Sequence, residues 1–516
     1  MPVVAVGTTV AAGIDAEAGG RIRGGALRRS LYFNMLAWVF GAFWMASTSG
    51  ATLTELTNYF RGNDAIFGYL AAVPFLGALL QLFGSMAVQH YRRRKGVFLW
   101  GLTLQRVLYI PMALLPWVFP AGHQAAAWAL VGLLFVASAA GNFGGQAWVN
   151  WMADLVPERV RGKYFAKRSR IGIVVVGLTA LGVGALMDLA KTGAMESMLA
   201  PVRGAVPALI FLISIIFVLA AICGTTDIQS FHKVDEPPMA RHDNGKSMLL
   251  SVAEPLVDRQ FRWYMAYLAL FNLSMGFVGT FAWKYLTEMI DHLDATAHPW
   301  LARHPYLAAY VLLTVAVSLG QFTGYPIWGR LVDRMGRKPV ILISVVLHTL
   351  TLVFWVVASP ALLIAGLFVQ FLAGLVSGGQ DVANFNMMLG FNSKGGPHYQ
   401  SVQGVLVSVA GAASGILAGY FASFLSGHEQ AGVLFTACGH EFNRYNMLFA
   451  AGIVVKCVAD FGLLPRVSDT QAKPTRFAIQ YILDTMYDNM HTRILAPVRS
   501  LSLLPAESFR PWRWFK

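Results

Sequence analysis

Gly329-Arg330-Leu331-Val332-Asp333-Arg334-Met335-Gly336-Arg337-Lys338 lies between two apolar runs, 305–328 and 339–359. An α-helix rises about 1.5 Å per residue, so about 20 apolar residues cross about 30 Å of hydrocarbon. A short charged loop between two runs of that length reads as a turn at a membrane surface. Outward from it, runs of similar length recur near 30–53, 65–88, 96–118, 125–153, 171–187, 205–224, 263–283, 361–389, 401–426 and 445–465, which makes twelve spans. Each is expected to be helical, because a helix satisfies its own backbone polar groups in lipid.

Composition supports a bilayer protein. Of 516 residues, 56% are hydrophobic and 13% charged, with a mean hydropathy of +0.54. A soluble domain carries about 25% charged residues. The net charge of +14 would suit nucleic acid if it were gathered on one surface, so the placement of the 40 Lys and Arg decides. With a cytoplasmic N-terminus, 32 fall on the inner side, 6 outside (Arg61, Lys191, Arg203, Lys284, Arg303, Arg444) and 2 within spans (Arg106, Lys456). That asymmetry is the positive-inside rule. It places both termini in the cytoplasm and removes the case for nucleic acid.

The three cysteines, Cys223, Cys438 and Cys457, have neither a disulfide framework nor metal-ligand spacing. Glu288, Asp291, His292, Asp294 and His298 read as a solvated outer loop, with weak metal binding as the alternative, and no resident metal or cofactor is expected. Residues 1–20 lack a basic segment ahead of an apolar core, so the first apolar run is expected to be a retained helix rather than a cleaved signal.

The chain also repeats itself. Phe33-Asn34 followed by Gly41-Ala42-Phe43 matches Phe271-Asn272 followed by Gly279-Thr280-Phe281, a displacement of 238 (34 to 272). Gly144-Gly145-Gln146 with Asn150 matches Gly378-Gly379-Gln380 with Asn384, a displacement of 234 (150 to 384). Val88 with Arg93-Arg94 matches Val332 with Arg337-Lys338, a displacement of 244 (93 to 337). A six-plus-six duplication explains three displacements of similar size. The expected organisation is an N-tail 1–29, a first bundle 30–224, a cytoplasmic linker 225–262, a second bundle 263–465 and a tail 466–516.

Twelve spans in two halves, a central basic linker, and Gly-x-Leu-x-Asp-Arg-x-Gly-Arg-Lys after the eighth span resemble the major facilitator superfamily of secondary transporters. The first-half counterpart is degraded, with Gln89 where Asp is expected and Arg92 where Gly would be. Asp154 to Phe165 resembles a loop of many bacterial members of unassigned substrate. The Arg-x-x-Gln-Gly pattern of proton-coupled members is missing from the fourth span, and the Gly-Pro pattern of drug antiporters from the fifth. The resemblance implies two six-helix bundles with a central cavity, a small-molecule substrate, a bacterial inner membrane and an open question of a coupling ion. Movement of a lipid or lysolipid is the alternative within transport, and a non-transporting sensor or a membrane enzyme the alternative outside it. No enzymatic activity is expected, because no acid, base or metal groups assemble in the sequence. No nucleotide-binding loop points to a primary pump.

Polar groups within spans need a partner or an aqueous cavity. Asn34, Trp38, Gly41, Met45, Thr48 and Thr52 form one stripe on the first span. Asn142, Gln146 and Asn150 do so on the fourth, Asn272, Gly276, Gly279 and Trp283 on the seventh, and Gln370, Gly374, Ser377, Asp381 and Asn384 on the tenth. The resemblance puts these four helices around the cavity. Asn34, Trp38, Asn142, Asn272, Trp283, Gln370 and Asp381 are therefore expected to line it, with interhelical bonding as the alternative. Gln146, Asn150, Gln380 and Asn384 lie near the cytoplasmic ends, where gating or packing is expected.

In the loop, Gly329 and Gly336 are expected where helix ends pack closely. Asp333 is expected to bond Arg337 and face a neighbouring helix N-terminus as a latch, with Arg334 beside it and Arg93 as the first-half counterpart. Arg106 needs a partner from another helix or an anionic ligand. Lys456 and Asp460 have the i, i+4 spacing of a structural ion pair, with a proton relay as the alternative, and a lone His348 reads as a bonded core residue, with a proton carrier as the alternative. In the tail, an apolar face from Phe477 to Ile494 and the aromatic-basic end 509–516 suit anionic lipid headgroups, with a partner protein as the competing occupant.

Overall fold

The computed structural model describes residues 22–238, 255–291, 299–359, 362–395, 398–430, 432–437, 439–469 and 474–481. Most of the expected outer-loop acids and histidines, and the tail beyond Tyr481 with its aromatic-basic end, lie outside these residues. Among them, eleven helices are long and apolar enough to cross a membrane. They are Asp64–Val88, Arg94–Val118, Gln124–Met152, Lys167–Ala190, Ala208–Lys233, Arg259–Met289, Pro305–Met335, Arg337–Val357, Leu363–Met388, Val402–Ser426 and Arg444–Arg466. Ahead of them runs Gly24–Ser47, also 24 residues long. Its Asn34, Tyr32 and tryptophans lower its hydropathy, so the twelfth expected span is present as a helix but is less apolar than the rest. Helices are counted below in chain order with Gly24–Ser47 as the first.

The sixth helix continues to Lys233, past the expected boundary at 224. Its last apolar run ends before Asp227, and a count of apolar residues stops there. The structure carries the helix on because Asp227 is buried with a partner, as described below.

Helix contacts fall into two sets. The first helix packs on the fifth and sixth, the second and third on the fourth; the eighth and ninth pack on the tenth, and the seventh on the eleventh and twelfth. The first six helices meet the last six mainly where the second packs on the eleventh and the fifth on the eighth. The second and eleventh approach backbone to backbone. A Cβ on Gly68 would lie 2.6 Å from the Gly415 oxygen and 2.7 Å from Gly419 Cα, so this seam depends on glycine.

Large apolar side chains stand exposed around the bundle, among them Ile364 at 78% and Leu178 at 65%. In water such a belt would drive aggregation, whereas in lipid it is the solvated surface. A short antiparallel hairpin, Phe435–Ala437 with His440–Phe442, precedes the twelfth helix. Asn443 starts that helix with a capping box, its side chain accepting from Tyr445 and Asn446 N–H.

Candidate functional site

The stretch 329–338, expected as a loop, is helical except at Gly336 and marks one end of the bundle. Gly336 has φ +89°, a backbone that favours glycine, and it ends the eighth helix before the ninth begins at Arg337. Gly329 differs from expectation, since a Cβ there would meet open space. Asp333 is exposed and makes no hydrogen bond or ion pair with a described residue. The carboxylate at a helix N-terminus is instead that of Asp469, which accepts from the N–H of Arg337 at 3.0 Å and of Lys338 at 3.2 Å. Arg334 donates to the Tyr481 hydroxyl and lies 5.3 Å from its ring centroid.

The first half repeats this arrangement. The Glu236 carboxylate accepts from the Arg94 N–H at 2.7 Å, and Lys95 Nζ donates to the His232 carbonyl at 2.8 Å, as Lys338 Nζ does to the Pro465 carbonyl at 2.8 Å. The helix starts are displaced by 243 (94 to 337, 95 to 338) and their partners by 233 (236 to 469, 232 to 465). Arg94, which also meets Asp154 at 2.5 Å, is thus the structural counterpart of Arg337. Arg93 is the residue before the helix rather than that counterpart.

The stripes separate into two groups. Gln146 donates to Gln81 at 2.9 Å, Gln380 to the Ser344 carbonyl at 3.3 Å, and Asn384 accepts from Tyr264, so these residues tie helices within a half. Asn142 and Asn272 bond the carbonyls of Ser138 and Leu268 on their own helices, at 2.9 and 2.8 Å. Asn150 is exposed and Gln370 buried. Asp381 accepts from Tyr325 at 3.1 Å, and Trp283 packs edge-on to Tyr310.

Buried charge concentrates the remaining chemistry. Arg106 on the third helix finds its partner in Asp227 on the sixth, at 3.5 Å, and stacks 3.4 Å from the Trp44 ring centroid. Nearby, Arg168 on the fifth helix lies 4.0 Å from the Trp38 ring centroid and 4.7 Å from that of Trp148. Asn34 donates to the Tyr164 hydroxyl at 2.7 Å and to the Met152 sulfur at 3.2 Å. In the second half, Lys456 and Asp460 pair at 2.7 Å, both 0% exposed, with Thr349 donating to Asp460 at 3.1 Å. His348 Nδ1 is buried with no hydrogen-bond partner. Arg168 was hidden in sequence because it sits in the basic run 159–170, which reads as a topology signal.

The opposite end of the bundle holds a cluster that links the halves. Asp64 on the second helix pairs with Lys284 on the seventh and, at 3.1 Å, with Arg444 on the twelfth. Arg444 also reaches Glu429 at 2.6 Å and Glu288 at 3.3 Å. Asp188 on the fifth helix accepts from the Tyr306 and Leu307 N–H groups at 2.8 and 3.0 Å, which caps the start of the eighth. Among the described residues, the side-chain hydrogen bonds and ion pairs joining the first six helices to the last six gather at this end.

No curated protein matches the chain in sequence. The solved structure of a bacterial homologue of the human lysosomal transporter Spinster, in an inward-facing and occupied conformation, is similar in fold, with TM-score 0.62, 13% identity and coverage of 88% of this chain and 100% of that one. The nucleoside transporter NupG gives 0.59, 12%, 87% and 100%. The D-xylose-proton symporter gives 0.58, 14%, 87% and 99%. A sequence profile described as Major Facilitator Superfamily matches residues 299–480. Residues 299–480 of this multi-pass membrane protein thus match the Major Facilitator Superfamily in sequence, and nearly the whole chain shares the fold of the solved transporters.

Proposed function

We propose that the chain is a secondary transporter that carries a small solute by alternating exposure of a cavity between its two six-helix halves, in a bacterial cytoplasmic membrane with both termini cytoplasmic. The supporting observation is the one-sided linkage of the halves. Their ion pairs gather at the end opposite the basic stretch 329–338, and that end faces outward under the positive-inside rule. Linkage at the outer end alone is the pattern of a cavity open toward the cytoplasm. Interhelical bonding inside each half, through Gln146 and Gln380, keeps each bundle rigid while it rocks.

Reconstitution in proteoliposomes tests this reading. Net flux or counterflow of a solute that stabilises the purified protein supports it. Ligand binding with no flux under any gradient would make the chain a sensor on the same scaffold. A second reading, movement of a lipid or lysolipid, is favoured by an apolar cavity of about 320 Å³ on the outer flank, lined by Leu286, Trp300, Val311, Leu363 and Leu367. Stabilisation by lysolipids but by no water-soluble solute would select it.

A further inference from the structure

We propose that Arg168, held between Trp38 and Trp148, is the binding site for an oxyanion, a carboxylate or phosphate group borne by the transported solute. This deepens the transporter reading and rests on it for the word transported; the site itself stands on local geometry. The guanidinium lies 4.0 Å from one indole centroid and 4.7 Å from the other, so stacking orients its plane. It makes no hydrogen bond or ion pair with any described residue, and its Nε is buried without a partner.

Two neighbouring groups share that condition. Trp38 Nε1 and Asn34 Oδ1 are also buried and unpartnered. Two of the three orphans, Arg168 Nε and Trp38 Nε1, are donors. A ligand that completes them must bring acceptors. Charge points the same way, because the carboxylate that acts on Arg168 is that of Asp227, which is already paired with Arg106 at 3.5 Å. Two guanidiniums thus share one carboxylate in the interior of a membrane bundle, and an uncompensated cation there is costly unless an anion visits it.

Arginine rather than lysine suits the task. Its planar fork matches a carboxylate or phosphate with two parallel hydrogen bonds while its faces stay stacked on the rings. The fifth helix also contributes to the interface between the halves, since it packs on the eighth. A ligand on Arg168 is therefore placed to bias their relative position.

The test is equilibrium binding to the full chain in phosphatidylcholine nanodiscs, read by calorimetry, so that it does not depend on flux. The probes are acetate, benzoate, inorganic phosphate and phenyl phosphate, with benzamide and benzyl alcohol as neutral counterparts. At least one anion is expected to bind measurably better than its neutral counterpart. Arg168→Gln should weaken it about tenfold or more, and Arg168→Lys should fall between. Should Arg168→Gln not fold, Arg168→Lys with Trp38→Phe carries the comparison, each expected to weaken the anion and leave the neutral probes unchanged.

Nanodiscs containing phosphatidylglycerol distinguish the source. Competition against the soluble anions there means that a lipid headgroup occupies the same site, and no competition means that a free solute does. Anions binding no better than neutral probes, or binding equally to wild type and Arg168→Gln, overturns the site. Anion binding without flux would uphold it and overturn the transporter reading.

Discussion

Asp64, at the start of the second helix, and Lys284, near the end of the seventh, form a buried ion pair that joins the first six helices to the last six. Asp64 is also within 3.1 Å of Arg444, so one carboxylate from the first half holds two cations of the second. Such a pair is weak evidence for stability, because desolvation offsets the attraction. Its geometry nevertheless favours contact between the halves at this end, since separation leaves Asp64 without either cation.

Asp64→Asn tests that role. Losing one member of a buried pair costs about 3–5 kcal/mol, here shared between folding and the balance of open and closed ends. Ala418 is fully buried beside the glycine seam of the second and eleventh helices. In a chain with the native cysteines replaced, Ala418→Cys should be labelled faster once Asp64→Asn is added. Unchanged labelling in a folded protein would remove the pair from the gate.

The matched helix caps give a second prediction. Asp469 and Glu236 each accept from a helix N-terminal N–H, where backbone donors and the helix dipole favour an anion. Asp469→Ala and Glu236→Ala should each lower stability by about 0.5–2 kcal/mol, measured by thermal unfolding in one detergent. Comparable losses in the two halves are expected from a duplicated device. A loss in one alone would mean that the symmetry is geometric without being energetic.

The spans were legible because lipid imposes one length and one backbone solution on every crossing. The partners were not, because no pattern of sequence spacing links residues on different helices. Asp227 and Arg106 stand 121 positions apart (106 to 227) and Asp64 and Lys284 220 apart. Arg168 and Lys284 read in sequence as loop charges, and only the fold sets Trp38, Trp148 and Asp64 around them. The basic pairs alone align Arg93 with Arg337, whereas the cap geometry aligns Arg94 with Arg337.

For Asp333, the expectation now depends on the state. It is exposed and unpaired in this structure, so Asp333→Asn should leave the unfolding temperature of this state unchanged. If the carboxylate pairs when the cytoplasmic end closes, the same substitution disfavours that state by about 1–3 kcal/mol. Flux should then fall with expression intact, and a cysteine at the exposed Asn150 should be labelled faster. Unchanged flux and labelling would leave the stretch as a basic topology signal.

Lys456 and Asp460 offer the sharpest separation of structure from mechanism. Both are fully buried, Asp460 lies in a stretch of π-helical spacing at Val458–Leu463, and Thr349 on the ninth helix donates a further bond to its carboxylate. Lys456→Met alone should cost about 3–5 kcal/mol, because it leaves Asp460 charged and without its cation. Replacing both, as Lys456→Met with Asp460→Leu, should recover most of that loss, since apolar residues of similar volume often substitute for a buried pair without penalty. A structural pair predicts that the double variant folds and transports near the wild-type rate. A double variant that folds with restored unfolding temperature yet carries no solute would make the pair part of the transport cycle, with the unpartnered His348 beside it as the next residue to replace.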